Sequence, residues 1–265
     1  MQQGVYRVMI ATLGFLSTLL LAPARQIVNL DIEGTTRKAI VILPNTSQPA
    51  PVVFAFHGHG GNMNFSERKF AVEELWPEAA VVYMQGIPTA TPNDPEGKRN
   101  GWQVRSATDN QRDLKFFDKM LEWVKAKQNV DTKRVYALGH SNGAAFTYLL
   151  WSTHPGTFAA IAPIAGGFAV ADKPSPIPVL HIAGKNDPIV KYENQVRTVE
   201  RMRRFNECGT ASKPWDVKGS EIWASPKGAP VIFYSHEGKH EVPENAMKLI
   251  LKFFQEHPAK PWLCG

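Results

Sequence analysis

The sequence predicts an α/β domain in which a mostly parallel sheet is covered by helices on both faces. Three observations carry that reading. Short apolar, β-branched runs alternate with longer segments of helical spacing. The first two β-rich runs are joined by a tight turn instead of a helix. At residues 139–143, Gly-His-Ser-Asn-Gly stands between an apolar run and a helix-compatible one.

Residues 26–32 and 37–43 are β-rich, and Glu33-Gly34-Thr35-Thr36 between them predicts an antiparallel hairpin at one edge of the sheet. Buried strands are expected at residues 52–56, 80–84, 135–138, 159–164, 179–183 and 231–234. Residues 113–127 place Leu114, Phe117, Leu121 and Val124 at helical spacing, with Thr108 or Asp109 available as N-cap. Further helices are expected at 144–151, 192–205 and 243–257, where Pro243 suits a first turn.

Residues 1–24 read as a secretory signal peptide: Arg7, the apolar stretch 8–21, then the small-x-small signature Ala22-Pro23-Ala24. The apolar stretch is shorter than the roughly 20 residues a membrane-spanning helix needs, so no stable anchor is expected after cleavage. The mature chain, residues 25–265, is then a single catalytic-sized domain, secreted or periplasmic. Net charge is +6, or +5 without Arg7, and no long basic run marks a nucleic-acid footprint. The densest cluster, Arg197, Arg201, Arg203 and Arg204, is interleaved with Glu193, Glu200 and Glu207 and reads as a solvated helix face. Cys208 and Cys264 are too few for a disulfide scaffold and lack metal spacing, but export leaves room for one bridge between them.

The chemistry is concentrated in the turns that follow strands, where open α/β sheets gather their functional loops. Gly139-His140-Ser141-Asn142-Gly143 has the G-x-S-x-G pattern of a nucleophile elbow, in which the central residue is held in a strained turn flanked by residues without Cβ. Ser141 is the expected nucleophile. His57-Gly58-His59-Gly60-Gly61 follows a strand and suits an oxyanion turn; the N–H of His59 or Gly60 would join that of Asn142. His57 and His59 lack a third ligand at metal spacing, so no metal site is expected. Asp187 ends the run 178–183 and its following turn, 46 residues after Ser141, and is the expected acid, with Asp172 in reserve. The base is expected after the last strand, where His240 is preferred over His236 because it follows the Gly238 turn. Residues 86–105 form a long loop rich in Pro, Gly, Asn and Asp, of a length that is usually functional or disordered. Trp102 and Gln103 are its substrate-contacting candidates; Trp102 reads equally as a pocket wall or as a core ring that pins the loop.

In order and spacing, His57-Gly58-His59-Gly60-Gly61, Asn100-Gly101-Trp102-Gln103, the Ser141 elbow, 184–190 and 238–243 resemble secreted polyhydroxybutyrate-depolymerase-like esterases. They are similar as well to feruloyl and acetylxylan esterases of the first carbohydrate-esterase family. The resemblance implies an α/β-hydrolase fold and carboxylic-ester hydrolysis without metal or organic cofactor. Its expected substrate is a small-molecule or polysaccharide-linked ester. The absence of a polymer-binding module after His257 favours soluble esters or acyl groups on plant polysaccharide over crystalline polyester. An acyltransferase or a serine peptidase could use the same triad, and a catalytically silent carbohydrate-binding protein fits least.

Overall fold

The computed structural model describes residues 24–168 and 174–259. The expected signal peptide, apart from Ala24, lies outside the described residues, as do Asp172 and Cys264. In chain order the elements are β1 (Ala24–Ile32), β2 (Thr35–Leu43), β3 (Ala50–Phe56), α1 (Met63–Phe70), α2 (Val72–Leu75), β4 (Ala80–Met84), β5 (Ile87–Pro88) and β6 (Asn100–Gly101). There follow α3 (Arg112–Lys127), β7 (Val130–His140), α4 (Asn142–Thr153), β8 (Ala160–Ile164), β9 (Val179–Gly184) and α5 (Tyr192–Phe205). The last are β10 (Lys213–Pro214), β11 (Ser220–Trp223), β12 (Val231–His236) and α6 (Ala246–Glu256).

Ten strands form one sheet in the order β1-β2-β4-β3-β7-β8-β9-β12-β11-β10. From β4 to β12 every neighbouring pair is parallel. The β1–β2 hairpin occupies one edge, with Ile32 paired to Thr35 across a two-residue turn. Glu33 and Gly34 both have positive φ (53° and 82°), the conformation whose twist matches the flanking strands.

The period-two alternation of β3 separates two cores. Val52, Phe54 and Phe56 face one, which α3, α4 and α5 complete with residues such as Phe117, Phe146 and Met202. Val53 and Ala55 face the other, beneath α1, α2 and α6. Helices on both faces explain why the central strands are apolar throughout.

Three boundaries differ from the sequence reading. Neither Thr108 nor Asp109 caps α3: Asp109, Asn110 and Gln111 all take positive φ, and the side chain of Gln103 accepts the Asp113 N–H (3.0 Å) from outside the local chain. The final helix starts at Ala246, after a turn in which the Ala246 N–H reaches the Pro243 carbonyl (2.9 Å). The loop 86–105 is ordered by the small β5–β6 ribbon.

Candidate active site

Ser141 sits between β7 and α4 with φ 57° and ψ −116°, a conformation unfavourable for any residue with a Cβ. Its N–H donates to the Ile164 carbonyl (2.8 Å), tying the elbow to the end of β8. The flanking glycines are required by contact: a Cβ on Gly139 would enter the carbonyl of Gly143, and one on Gly143 would enter that of Phe56. The strand–turn–helix path therefore brings three backbones together where side chains do not fit.

The loop after β12 carries His240 to this serine. His240 Nδ1 lies 2.8 Å from Asp187 Oδ2, and Nε2 lies 2.8 Å from Ser141 Oγ. An ionised carboxylate only accepts, so Nδ1 carries the proton and Nε2 is free to accept from the hydroxyl. The Asp187 side chain is fully buried, and its Oδ1 accepts the N–H groups of Ile189 (2.8 Å) and Val190 (2.9 Å). His236 stays at the end of β12, where its Nδ1 accepts the Gly238 N–H (3.1 Å) and its buried Nε2 has no hydrogen-bond partner among the described residues.

Behind Asp187 lies a buried chain of polar groups that no motif announces. Gln195 donates to Asp187 Oδ2 (3.2 Å) and to the Val190 carbonyl (2.7 Å). Its Oε1 faces His181 Nε2 (3.1 Å), and His181 Nδ1 meets the Tyr148 hydroxyl (2.7 Å). Because the amide oxygen only accepts, His181 donates from Nε2 and accepts at Nδ1. Burial pushes its pKa down to about 4, keeping the ring neutral.

Two backbone N–H groups face the question of an oxyanion hole. Asn142 opens α4, where the first N–H groups have no intrahelical acceptor. In the His57–Gly61 turn, Gly60 donates to the Asn100 carbonyl (2.7 Å) and Gly61 to that of Gly58 (3.0 Å). Of the two alternatives in that turn, the Gly60 N–H is thus already engaged.

A family model described as "Putative esterase" matches residues 32–231. The chain belongs to that esterase family. It is 27% identical over 203 residues to a probable feruloyl esterase C of Aspergillus niger, covering 74% of this chain and 72% of that protein. It is 29% identical over 179 residues to the bifunctional acetylxylan esterase/xylanase XynS20E of Neocallimastix patriciarum, covering 66% of this chain and 25% of the relative. The acetyl xylan esterase of Aspergillus awamori superposes with a TM-score of 0.68 at 16% identity, over 88% of this chain and 99% of that one. The fold is that of the α/β-hydrolases.

In this esterase the loop 86–105 is bonded both to the Asn142 side chain and to the His57–Gly61 turn. The Asn142 side chain accepts the Trp102 N–H (2.7 Å) and donates to the Trp102 carbonyl (3.0 Å). On the other side, Asp94 accepts from His59 Nε2 (3.0 Å) and from the Arg99 N–H (2.9 Å), while Asn100 holds Gly60. The Trp102 ring, 1% exposed, stacks on Phe146 at 5.1 Å and donates through Nε1 to the His57 carbonyl (2.9 Å). The buried ring pins the loop, and Trp102 is also among the residues that line the cleft. Gln103 is equally buried; its N–H and Oε1 pair with Asp113, which also bonds the buried Arg37 (2.7 Å). Both residues line the cleft.

The cleft itself has a volume of about 1060 Å³ and holds Ser141, His240, Asn142 and His59. Its rim includes Phe65 and Ile189, large apolar side chains that are 47% and 58% exposed. His57 is buried with both ring nitrogens engaged, by the Gly58 carbonyl (2.8 Å) and the Gly86 N–H (2.9 Å). Desolvation lowers its pKa to about 4. Among the described residues, no group of three His, Cys, Asp or Glu side chains converges on a metal position.

Proposed function

We propose that this chain is an exported serine esterase that cleaves feruloyl- or acetyl-type esters of plant polysaccharide, or short hydroxyalkanoate esters, through an acyl-enzyme. The observation that carries the reading is the continuous pair of 2.8 Å contacts from Asp187 through His240 to Ser141. Ser141 Oγ attacks the ester carbonyl as His240 Nε2 takes its proton. Asp187 holds the ring in the tautomer that leaves Nε2 basic and stabilises the cation that forms. The N–H groups of His59 and Asn142 receive the oxyanion, the His59 donor being favoured because Gly60 is engaged elsewhere. His240 returns the proton to the leaving alcohol, and water repeats the sequence on the acyl-enzyme.

The exposed apolar rim at Phe65 and Ile189 and the relation to a feruloyl esterase and an acetylxylan esterase support the substrate class. The leader pattern in residues 1–24 supports export. The test is a panel of feruloyl, acetylated-xylan, short hydroxybutyrate and graded acyl-chain esters, with matched amides and sugar acceptors, for wild type and Ser141→Ala. Turnover of feruloyl or acetyl esters that Ser141→Ala abolishes is the expected result. Preferential amide cleavage would replace the reading with a peptidase, and transfer to sugar exceeding hydrolysis would replace it with an acyltransferase.

A further inference from the structure

The Asp187 carboxylate accepts from four N–H groups, and one of them leads away from the active site. Its Oδ1 takes the backbone N–H groups of Ile189 and Val190, so the local turn fixes that oxygen. Its Oδ2 is shared by His240 Nδ1 (2.8 Å) and Gln195 Nε2 (3.2 Å). Chemistry decides which way the Gln195 amide points. The carboxylate and the Val190 carbonyl (2.7 Å) can only accept, so both must face its NH2 group. Oε1 is thereby turned to His181 Nε2 (3.1 Å), which must donate, and the bare Nδ1 accepts from the Tyr148 hydroxyl (2.7 Å). Every link from Tyr148 to Asp187 therefore donates in one direction, toward the carboxylate.

Three elements supply this chain. The alternation of β9 sends His181 to the same face as Val179 and Ala183, on the side of α4 and α5. Gln195 comes from the start of α5, and Tyr148 stands on α4 seven residues after Ser141, two helical turns from the elbow. All three side chains are fully buried, and none lines the cleft. Among the described residues their hydrogen bonds go only to one another, to Asp187 and to the Val190 carbonyl. Buried polar groups cost stability unless paired, whereas apolar side chains of similar size would fill the space without that demand. Burial raises the Tyr148 hydroxyl well above its ordinary range and brings His181 down to about 4, so neither changes charge near neutral pH.

We propose that Tyr148, His181 and Gln195 are positioning residues that lock the Asp187 carboxylate against His240, a role that rests on the serine-esterase reading above. Gln195 holds Oδ2 where His240 Nδ1 can bond it, and donors aligned in one direction polarise each other toward the anion. The chain also ties the turn of the acid to the helix that begins at the nucleophile.

The experiment has two arms, and one needs no turnover. In protein carrying nitrogen-15 histidine, NMR is expected to show His181 protonated at Nε2 and bare at Nδ1. The far-downfield proton shared by His240 and Asp187 is expected to move upfield and exchange faster with water in Gln195→Leu. In the kinetic arm, Gln195→Leu should lower kcat by about 10- to 100-fold with KM changed only a few-fold. His181→Leu should lower kcat about tenfold, whereas His181→Gln, whose amide puts an N–H near the place of Nε2, should stay within about threefold of wild type. A His181 proton on Nδ1 would reverse the chain and overturn the proposal. So would a folded Gln195→Leu that keeps both the downfield proton and kcat, or equal losses in His181→Leu and His181→Gln, which would leave packing alone. Should Gln195→Leu fail to fold, the two His181 variants carry the test on the same readouts. A wild type that cleaves no ester would overturn the enzymatic reading, while the NMR arm would still decide whether the chain holds Asp187 against His240.

Discussion

Ser141 holds a backbone conformation that costs on the order of 1–3 kcal/mol, and the glycines around it exist because neighbouring carbonyls occupy the space of a side chain. The same logic applies at a less visible position. Gly184 ends β9 against the carbonyls of Gly238 and Lys239, one residue before His240, and a Cβ there would enter the Lys239 carbonyl. Gly184→Ala should therefore displace the histidine loop and lower kcat by about 100-fold, the usual effect of misplacing a catalytic group by about 1 Å. Unchanged kcat with a normal Tm would contradict this. Ser141→Ala, Asp187→Asn and His240→Ala should each lower kcat by about 10⁴- to 10⁶-fold without additivity, whereas His236→Ala should change it little. Double variants assayed beside the single ones check the point. Ser141, Asp187 and His240 could be nominated from sequence because each stands in a turn after a strand. Gln195 and His181 could not, since a helix glutamine and a strand histidine carry no local signal until the fold brings them behind Asp187.

At the scale of elements, the sheet and the long helices were legible because periodicity reports burial directly. The loop 86–105 was legible only as a long loop. Its order depends on partners about 35 to 45 residues away in sequence: Asn142 for the Trp102 backbone, His57 for the indole, and His59 for Asp94. No spacing rule encodes such pairs, and the same is true of the Gln103 side chain that caps α3 in place of a local residue. The clamp makes a prediction that separates positioning from substrate contact. Asp94→Ala removes the acceptor of the His59 ring and the Arg99 N–H, so the turn bearing the His59 N–H loses its fixed register. Expected is a fall in kcat of about 10- to 100-fold with KM changed only a few-fold, across aromatic and short aliphatic esters alike. Selective loss on one ester class would instead place Asp94 in substrate recognition.

For the whole molecule, three desolvated histidines set the response to acid. Desolvation brings the pKa of His57, His140 and His181 each down to about 4 in the folded chain, while an unfolded histidine titrates near 6.5. Between those values the unfolded state binds more protons, so stability rises with pH there. The contribution of these groups is complete above about pH 6.5, is lost as pH falls toward 4, and is flat below. Tm measured from pH 7 to 4.5 should therefore drop steeply, with proton uptake on unfolding. His181→Gln should reduce that uptake by about one proton. A flat Tm across the window would show that these rings are charged in the folded protein.

One loop holds the frames of both proposed oxyanion donors and has its tryptophan sunk in the core, and this limits where the enzyme can diverge. Sequence change between residues 90 and 105 should alter turnover on every ester at once, which makes the loop a poor place from which to evolve a new acyl preference. Phe65 and Ile189 are exposed on the rim, and no hydrogen bond of the clamp passes through their side chains. A combinatorial library confined to those two positions should retain active clones at a far higher frequency than one of equal size spread over the loop, and its survivors should differ from one another in substrate preference.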